Sequence, residues 1–453
     1  MKRHLVHRRN RKPISVGEWL GLVLILLSTG HAGAQSLGGD RQQIHGPLPL
    51  AEAVKIGLRE NLTIQAAQSD VRAAAAEIRV VRSMTLPQIS ANSFLTAGDF
   101  GNIFSTSPNV TPVNYNLIPP KGFADINLTL MYPLYTGGRL SGLVRAASDR
   151  QRAAVADAGG VQAETALMIK DAYYRVLLAA EFVKVAQARM EAGDELVRNT
   201  QVRLDAGKGI EADVRRAEAE RADAQRDLTT TGNLQAKALL DLKTVMGVRL
   251  DSDVSLSDKL GYFPPPSDVN SSLAEAARTR PELAAVRARF SAARAQTGAA
   301  KGSLQPQVYA GVMADAFSSG SMGNGTGYTA GLTISFPLFD AGERQAGVAH
   351  ARAQQQRAQA EAGNLELRVS NEVRQAWLDV DTGAQNYRTA QAALQAAQSA
   401  YDTIALRVQN QKSILVELLD ALTALTRARA NLAQSLYDHS LAVARLQRAI
   451  GRP

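Results

Sequence analysis

The sequence contains no cysteine among its 453 residues. It therefore has no disulfide, no thiolate metal ligand and no cysteine nucleophile. A lipid-modified cysteine at a processed N-terminus is excluded for the same reason, since that anchor needs the thiol. Aromatic residues are also scarce, at 5% of the chain, so the places where they cluster are informative.

Histidine is rare as well, and three of the six histidines lie in the first 34 residues. The other three, His45, His350 and His439, are scattered and show no metal-ligand spacing. The sequence has no phosphate-binding glycine loop with its lysine and no nucleophile elbow. We therefore expect no enzymatic activity, no cofactor and no metal site.

Long apolar runs are missing: after residue 34 no window approaches the roughly 18 apolar residues that indicate a transmembrane helix. A shorter apolar run, residues 19–27, follows a basic stretch and precedes Ala32-Gly33-Ala34. This pattern is typical of a secretory signal peptide, which we expect to span residues 1–34 and to be cleaved before Gln35. The alternative is a retained anchor, for which the run is too short.

Acidic residues are outnumbered, and the formal net charge of +9 at first suggests an anionic partner such as nucleic acid. Against the single acid Glu18, the predicted signal peptide carries six positive charges: Lys2, Arg3, Arg8, Arg9, Arg11 and Lys12. The rest of the chain then carries roughly +4. We therefore expect no nucleic-acid partner.

The sequence contains an internal repeat. Leu50-Ala51-Glu52-Ala53 returns as Leu273-Ala274-Glu275-Ala276. A constant offset of 204 residues relates further matching positions: Tyr132 and Phe336, Gly138 and Gly342, Gly159 and Gly363, Lys208 and Lys412, and Gly247 and Gly451. Because each insertion would rotate the apolar face of a helix, a constant offset over this length indicates long rod-like helices.

The repeat predicts the domain organisation. We assign residues 35–250 to the first repeat and residues 271–453 to the second, each with a helical region, two strands, a long helix and a further helix. Residues 251–270 join them and contain Pro264-Pro265-Pro266, which predicts an extended linker.

Each repeat contains stretches in which apolar and polar residues alternate, as in strands with one apolar face. They lie at about residues 88–135 and 307–339, where the aromatic residues also cluster. Aromatic residues bracket the strands of outer-membrane barrels in this way, but such barrels begin at about eight strands, so closure would need at least two chains. The alternative is a small soluble β-sandwich.

After Gly138 and Gly342 each repeat is helical in pattern for about 70 residues, a rod on the order of 100 Å long. Small and apolar residues such as Val176, Ala179 and Val183 recur there at steps of three and four, the spacing of a coiled-coil seam. An ordinary coiled-coil stalk is the alternative for these helices.

Taken together, these motifs resemble the TolC family of outer-membrane efflux and secretion channels. The resemblance covers residues 48–451 and rests on the repeated Leu-Ala-Glu-Ala start, the Leu86-Pro87 step, and the runs at 132–139 and 336–344. It implies a mainly α fold with β. Four strands per chain would contribute to a shared trimeric 12-stranded β-barrel, and long coiled-coil helices would form a periplasmic α-barrel.

The resemblance also implies a function: a passive outer-membrane exit duct of a tripartite efflux or type I secretion system, with a long periplasmic extension. The implied partners are two further copies in a homotrimer, a periplasmic adaptor protein, an inner-membrane pump of the RND, ABC or MFS type, and outer-membrane lipid. The alternative is a periplasmic adaptor or coiled-coil scaffold without its own pore. An adaptor would normally show one hairpin flanked by globular β-domains.

In the TolC family, acidic side chains of the second repeat line a constriction at the periplasmic tip. Glu417 and Asp420 match those positions and lie three residues apart, on one helix face. Three copies would form two acidic rings that favour cations. The alternative is a solvated helix face, which is the commoner setting for such a pair.

The turns of the tip, at about residues 203–214 and 407–420, carry the surface on which an adaptor is expected to dock. The docking residues are Arg203, Gly207, Lys208, Ile210, Arg407, Lys412 and Ile414. The second repeat departs from the family pattern, because the arginine expected near Ser413 is absent and Lys412 lies one place earlier. The family's basic latch to the acidic residues therefore lacks its usual arginine.

Overall fold

The computed structural model describes residues 43–96, 123–264, 268–319, 323–410 and 412–452. The predicted signal peptide, residues 98–122, Pro265 and Pro266 lie outside these ranges. Within them, no helix combines the length and the apolar character that a membrane crossing requires.

The first repeat begins with a short strand, β1 (His45–Leu48), and two helices, α1 (Leu50–Glu60) and α2 (Leu62–Ser83). Two strands follow, β2 (Gln88–Thr96) and β3 (Phe123–Tyr135). Two long helices complete the repeat, α3 (Arg139–Asp205) and α4 (Glu211–Met246).

A short strand, β4 (Asp253–Leu256), lies between the repeats. The second repeat then has helices α5 (Val269–Thr279) and α6 (Pro281–Gly302), strands β5 (Gln307–Ser319) and β6 (Gly323–Ser335), and helices α7 (Glu343–Gln409) and α8 (Leu415–Ala449). Apart from β1, this order repeats that of the first half. The fold is mainly α with β, as the sequence predicts.

Each short helical region is divided into two helices, although the sequence pattern predicts one. Asn61 ends α1, and its side chain caps α2 by accepting a hydrogen bond from the Thr63 N–H at 2.8 Å. In the second repeat Arg280 has an extended backbone and Pro281 begins α6. The residue before a proline avoids the helical conformation, so both breaks have a local cause.

The two longest helices, α3 and α7, each contain 67 residues, which makes them about 100 Å long. α3 packs against α4, against α6 and against α8, whereas α7 packs against α6 and α8. The long helices therefore form a layer in the order α4, α3, α8, α7. The buried face of α3 is rich in alanine and glycine, which lets neighbouring helices approach closely.

Strands β2, β3, β5 and β6 form one antiparallel sheet in that order. The register places apolar residues in rows across the strands: Ile89, Leu130, Val312 and Ala330 in one row, and Ala91, Leu128, Ala314 and Tyr328 in the next. The row of Asn92, Asn127 and Asp315 belongs to the opposite face. The sheet thus has one apolar and one polar face, and large apolar residues such as Ile126, Leu332 and Ile334 are exposed.

The segment predicted as an extended linker contains a strand and is packed against the second repeat. β4 pairs in parallel with β1. Residues 257–264 lack regular structure, but the Nε2 of His439 donates a hydrogen bond to the Phe263 carbonyl at 2.6 Å. The ring of Tyr262 stacks on those of Tyr387 and His439. Side-chain packing rather than chain stiffness therefore holds this segment in place.

A buried tyrosine ties the start of the first repeat to its long helix. Tyr173 of α3 lies among Ile169 and Leu242, and its hydroxyl is 2.8 Å from the Leu48 carbonyl and 3.0 Å from the Asp258 carboxylate. Burial raises the pKa of the Tyr173 phenol above its ordinary value of 10, and the hydrogen bond to Asp258 raises it further. Tyr173 therefore stays protonated and links β1, the linker and α3.

An ion-pair network joins the two repeats. Arg448 of α8 lies 2.9 Å from each of Glu282, Glu372 and Glu164. Arg280 also pairs with Glu372, at 2.6 Å. Because Glu164 belongs to α3 of the first repeat and the other residues to the second, these contacts hold the repeats together.

The glycines after α4 and α8 pack on the breaks between the short helices. Gly247 and Gly451 have φ values of +75° and +84°. A Cβ at Gly247 would lie 2.8 Å from the Glu60 carbonyl oxygen, and one at Gly451 would lie 2.8 Å from the Thr279 hydroxyl. Glycine is therefore favoured at both positions by backbone conformation and by close packing.

We predict that Gly247→Ala destabilises the protein and that Gly232→Ala does not. Alanine at residue 247 would adopt a left-handed conformation, at a cost of about 1–2 kcal/mol, and would clash with the Glu60 carbonyl. Gly232 lies inside α4 with no atom within 4 Å of its Cβ position, so alanine there should stabilise the helix by about 0.5–1 kcal/mol. Thermal unfolding followed by circular dichroism measures both effects. A midpoint for Gly247→Ala at or above that of the wild type would contradict the prediction.

Candidate functional site

The turns that join the long helices close in the same way in both repeats. In the first turn the Lys208 N–H donates to the Arg203 carbonyl at 2.8 Å. In the second turn the Lys412 N–H donates to the Arg407 carbonyl, also at 2.8 Å. These positions keep the offset of 204 residues, so the duplication extends to the backbone geometry at this end of the helices.

Gly207 determines the shape of the first turn. Its φ is +69°, and its N–H donates to the Leu204 carbonyl at 2.9 Å. A Cβ at Gly207 would meet no atom within 4 Å, so glycine is favoured by the backbone conformation and not by lack of space. The corresponding residue of the second turn, Gln411, lies outside the described residues.

The two turns are in contact. Nη1 of Arg203 donates to the Val408 carbonyl at 3.5 Å. Behind the turns, Leu196 of α3, Ala217 of α4 and Leu415 of α8 form a small buried cluster. This cluster and the arginine contact bring the predicted docking residues of both repeats into one region.

That region presents apolar and positively charged side chains to solvent. Ile210 and Ile414, which occupy equivalent positions, are 61% and 63% exposed. Lys208, Arg407 and Lys412 are exposed too, and Arg203 is half-buried because it reaches toward Val408. The region formed by the seven predicted docking residues is called the tip surface below, and it exposes two isoleucines among positively charged side chains.

Glu417 and Asp420 lie in the first two turns of α8, on its exposed face. Leu415 is buried and Leu418 and Leu419 are partly buried against α3 and α4, which turns the two carboxylates away from that cluster. The N-terminus of a helix favours negative charge, which suits Glu417 in the first turn of α8. In the sequence, Glu417 and Asp420 follow closely after the positively charged residues of the second tip turn.

The Ser413 hydroxyl donates a hydrogen bond to a carboxylate oxygen of Glu417. Within the described ranges, no lysine or arginine forms an ion pair with Glu417 or Asp420, and Lys412 pairs with no acid. Ser413, near which the resemblance leads us to expect an arginine, therefore contacts the acid through a neutral hydroxyl. This contact was not predicted from the sequence: a spacing of four residues allows it, but does not select the rotamers that form it.

In the part of the chain that the structure describes, no three His, Asp or Glu side chains are close enough together to hold a metal ion. Basic and apolar side chains face solvent on the turns, and carboxylates follow on α8.

The chain matches known proteins along both repeats. A family model described as outer membrane efflux protein matches residues 54–248 and 273–452. Protein CyaE of Bordetella pertussis is 25% identical over 341 residues, which cover 74% of this chain and 69% of CyaE. The cobalt-zinc-cadmium resistance protein CzcC of Cupriavidus metallidurans is 24% identical over 445 residues, covering 96% of this chain and 98% of CzcC.

The fold is similar to that of solved outer-membrane channels. The structure of the outer-membrane channel OprN aligns with a TM-score of 0.75 and 23% sequence identity, covering 89% of this chain and 90% of OprN. This match confirms the mainly α fold with β that the resemblance implies for one chain.

Proposed function

This chain belongs to the outer membrane efflux protein family, and from that premise we propose that it is the outer-membrane exit duct of a tripartite efflux or type I secretion system. Members of the family are outer-membrane channels, not enzymes, and they work with adaptor proteins and inner-membrane pumps. One observation carries the proposal for this chain. A sheet with an exposed apolar face leads directly into helices of 67 residues.

The duct is a homotrimer in which each chain contributes four strands to a 12-stranded barrel in the outer membrane. The sheet supports this because each of its outer strands, β2 and β6, has one hydrogen-bonding edge with no partner strand among the described residues. Four strands are too few for a closed barrel, which begins at about eight. Its apolar face would then meet lipid and its polar face would line the lumen, as in known barrels.

The long helices extend the duct through the periplasm toward the inner membrane. About 100 Å of helix lies between the sheet and the turns of each repeat. At the far end, Glu417 and Asp420 line the constriction. Their exposure on α8 and the lack of a basic partner in the described residues support this role, since three copies would concentrate negative charge that attracts cations.

The tip surface docks a periplasmic adaptor protein, which connects the duct to an inner-membrane pump of the RND, ABC or MFS type. Exposed Ile210 and Ile414 supply apolar contact, and Lys208 and Lys412 supply charge. The equivalent geometry of the two turns supports a repeated docking site, because each trimer would present six similar turns.

The protein reaches the outer membrane through a signal peptide that is cleaved before Gln35. The basic stretch, the short apolar run and the small residues at Ala32 and Ala34 support this step. The mature protein carries no lipid anchor, since the chain has no cysteine to be modified.

Fractionation tests the duct directly. We expect the protein in outer-membrane fractions, extractable only with detergent, as a heat-modifiable species of about three chain masses. Reconstituted in planar lipid bilayers, this species should conduct ions. A monomer that osmotic shock releases from the periplasm would contradict the proposal and would favour a soluble scaffold.

Charge at the constriction can be tested in the same bilayers. Changing Glu417→Ala together with Asp420→Ala should raise single-channel conductance and weaken block by divalent or trivalent cations. We expect about a tenfold weaker block, equivalent to about 1.4 kcal/mol of lost attraction per bound cation. The matched control, Glu417→Asp with Asp420→Glu, keeps both charges and should keep the block. Unchanged block in the alanine variant would place the constriction elsewhere.

Adaptor docking can be tested by photo-cross-linking in cells. A photoreactive residue at position 210 or 414 should give an adduct with the adaptor, because both side chains are exposed on the tip surface. The control position is Thr230, which is exposed in the middle of α4 and should give none. Adaptor adducts at position 230 together with none at the two tip positions would show that docking occurs along the helices instead.

A further inference from the structure

The sheet and the helical layer both end in free edges, and the edges belong to different repeats. In the sheet, β2 lies at one edge and β6 at the other. In the helical layer, α4 and α7 are the outer helices and share no substantial contact in the described residues. Each layer thus ends in the first repeat on one side and in the second repeat on the other.

Within the chain, the first repeat is joined to the second through β3 and α3. β3 pairs with β5, and α3 packs against α6 and α8. The equivalents of β3 and α3 in the second repeat are β6 and α7. The equivalents of β5, α6 and α8 in the first repeat are β2, α2 and α4. The same interface is therefore available a second time, between the second repeat of one chain and the first repeat of another.

We propose, on the premise that the duct is an oligomer of this chain, that β6 pairs with β2 of the next protomer in the register that β3 and β5 show within the chain. Leu130 lies opposite Val312 in that internal register. Each residue of β3 corresponds to the residue of β6 that lies 204 positions later, so Leu130 corresponds to Ile334. Residues of β2 and β5 correspond with the spacing of Gln88 and Gln307, so Val312 corresponds to Ser93. Ile334 therefore lies opposite Ser93 of the next protomer.

The faces of the sheet agree with this register. Ile334 lies opposite Val308 within the chain, and Ser93 lies opposite Ile126, so both positions belong to the apolar face. A shift by one residue would place Ile334 opposite Asn92, which belongs to the polar face. Such a shift would break the continuity of the apolar face around the oligomer.

The end of β6 distinguishes this register from one shifted by two residues. Within the chain, the pairing of β3 has an irregularity after Pro133, and Tyr135 then lies opposite Val308. The equivalent of Tyr135 is Phe339, which lies beyond the end of β6 and is 89% exposed. In the proposed register, Phe339 pairs with the exposed Ile89 of the next protomer and extends β6 through the same irregularity.

The helices support the same arrangement. A Cβ at Gly159 of α3 would lie 3.4 Å from Pro281 of α6, whereas nothing lies within 4 Å of the Cβ position at the equivalent Gly363 of α7. The equivalent of Pro281 is Leu62, which is 58% exposed at the start of α2. Gly363 therefore leaves room for the next protomer's Leu62.

A second copy of the chain is the occupant that these edges fit. The first repeat of that second copy offers a surface equivalent to the one that, within a single chain, the second repeat presents to β3 and α3. An interface of this head-to-tail kind closes into a ring when the rotation permits. In a ring of three chains, six repeats alternate, and β2 and β6 of every chain are paired on both edges.

The chain has no cysteine, so engineered disulfides can test the register in the full-length protein. Residues directly opposite in antiparallel strands have Cα atoms about 4.5–5.5 Å apart, within the range that a disulfide spans. The double variant Ser93→Cys with Ile334→Cys should therefore give dimers and trimers on non-reducing gels, and reduction should abolish them. A second variant, Ile89→Cys with Phe339→Cys, tests the end of the strand independently.

Three controls define the outcome. Single-cysteine variants should give no cross-link. Ser93→Cys combined with Leu332→Cys or with Phe336→Cys represents a shift by two residues, about 7 Å along the strand, and should cross-link far less. Leu130→Cys with Val312→Cys reproduces the internal pairing and should form a disulfide without any change in mass.

Preferential cross-linking of a shifted pair would overturn the proposed register. So would the failure of both proposed pairs in a protein that an amine-reactive cross-linker shows to be trimeric. If the amine-reactive cross-linker and size-exclusion chromatography show a monomer, the duct itself is wrong, and this outcome is distinguishable from a wrong register.

Discussion

The free hydrogen-bonding edges of β2 and β6 are the constraint on which the rest of the structure depends. Unpaired N–H and C=O groups along a strand edge invite pairing with another chain, and in a membrane they must be paired. The sheet also exposes its apolar face, and no second layer among the described residues covers it. The proposed barrel of several chains in lipid would pair the edges and cover the apolar face together.

The helical half of the molecule follows the same duplication. Because α3 and α7 have the same length and lie 204 residues apart, the contacts of the helices that follow them are repeated too. The tip turns close through equivalent hydrogen bonds, and Gly247 and Gly451, after α4 and α8, pack on the breaks of the short helices. The differences between the repeats lie in the charged groups. Arg448 and its glutamates join the repeats, and Ser413 with Glu417 belongs to the second repeat alone.

Much of the fold could be predicted because it depends on periodicity and on local chemistry. Alternation of apolar and polar residues directly indicates the strands of the sheet, and small residues at coiled-coil spacing directly indicate the long helices. The division at Asn61 was missed, although the capping asparagine is itself a local signal. The pairing of β4 with β1 could not be predicted, because strands of four residues carry too little pattern and their partners are about 200 residues apart.

By itself, the sequence determined the duplication, the order of the main strands and long helices, and the position of the two tip turns, since these follow from spacing along one chain. Only the tertiary structure decided which strands and helices are left at the edges, because that depends on how the two repeats pack side by side. The tertiary structure likewise decided that the Ser413 hydroxyl contacts the Glu417 carboxylate, since a side-chain contact depends on rotamers that spacing does not specify. The register of β3 with β5 is set by long-range pairing across the repeats. It is the basis of the register proposed between protomers.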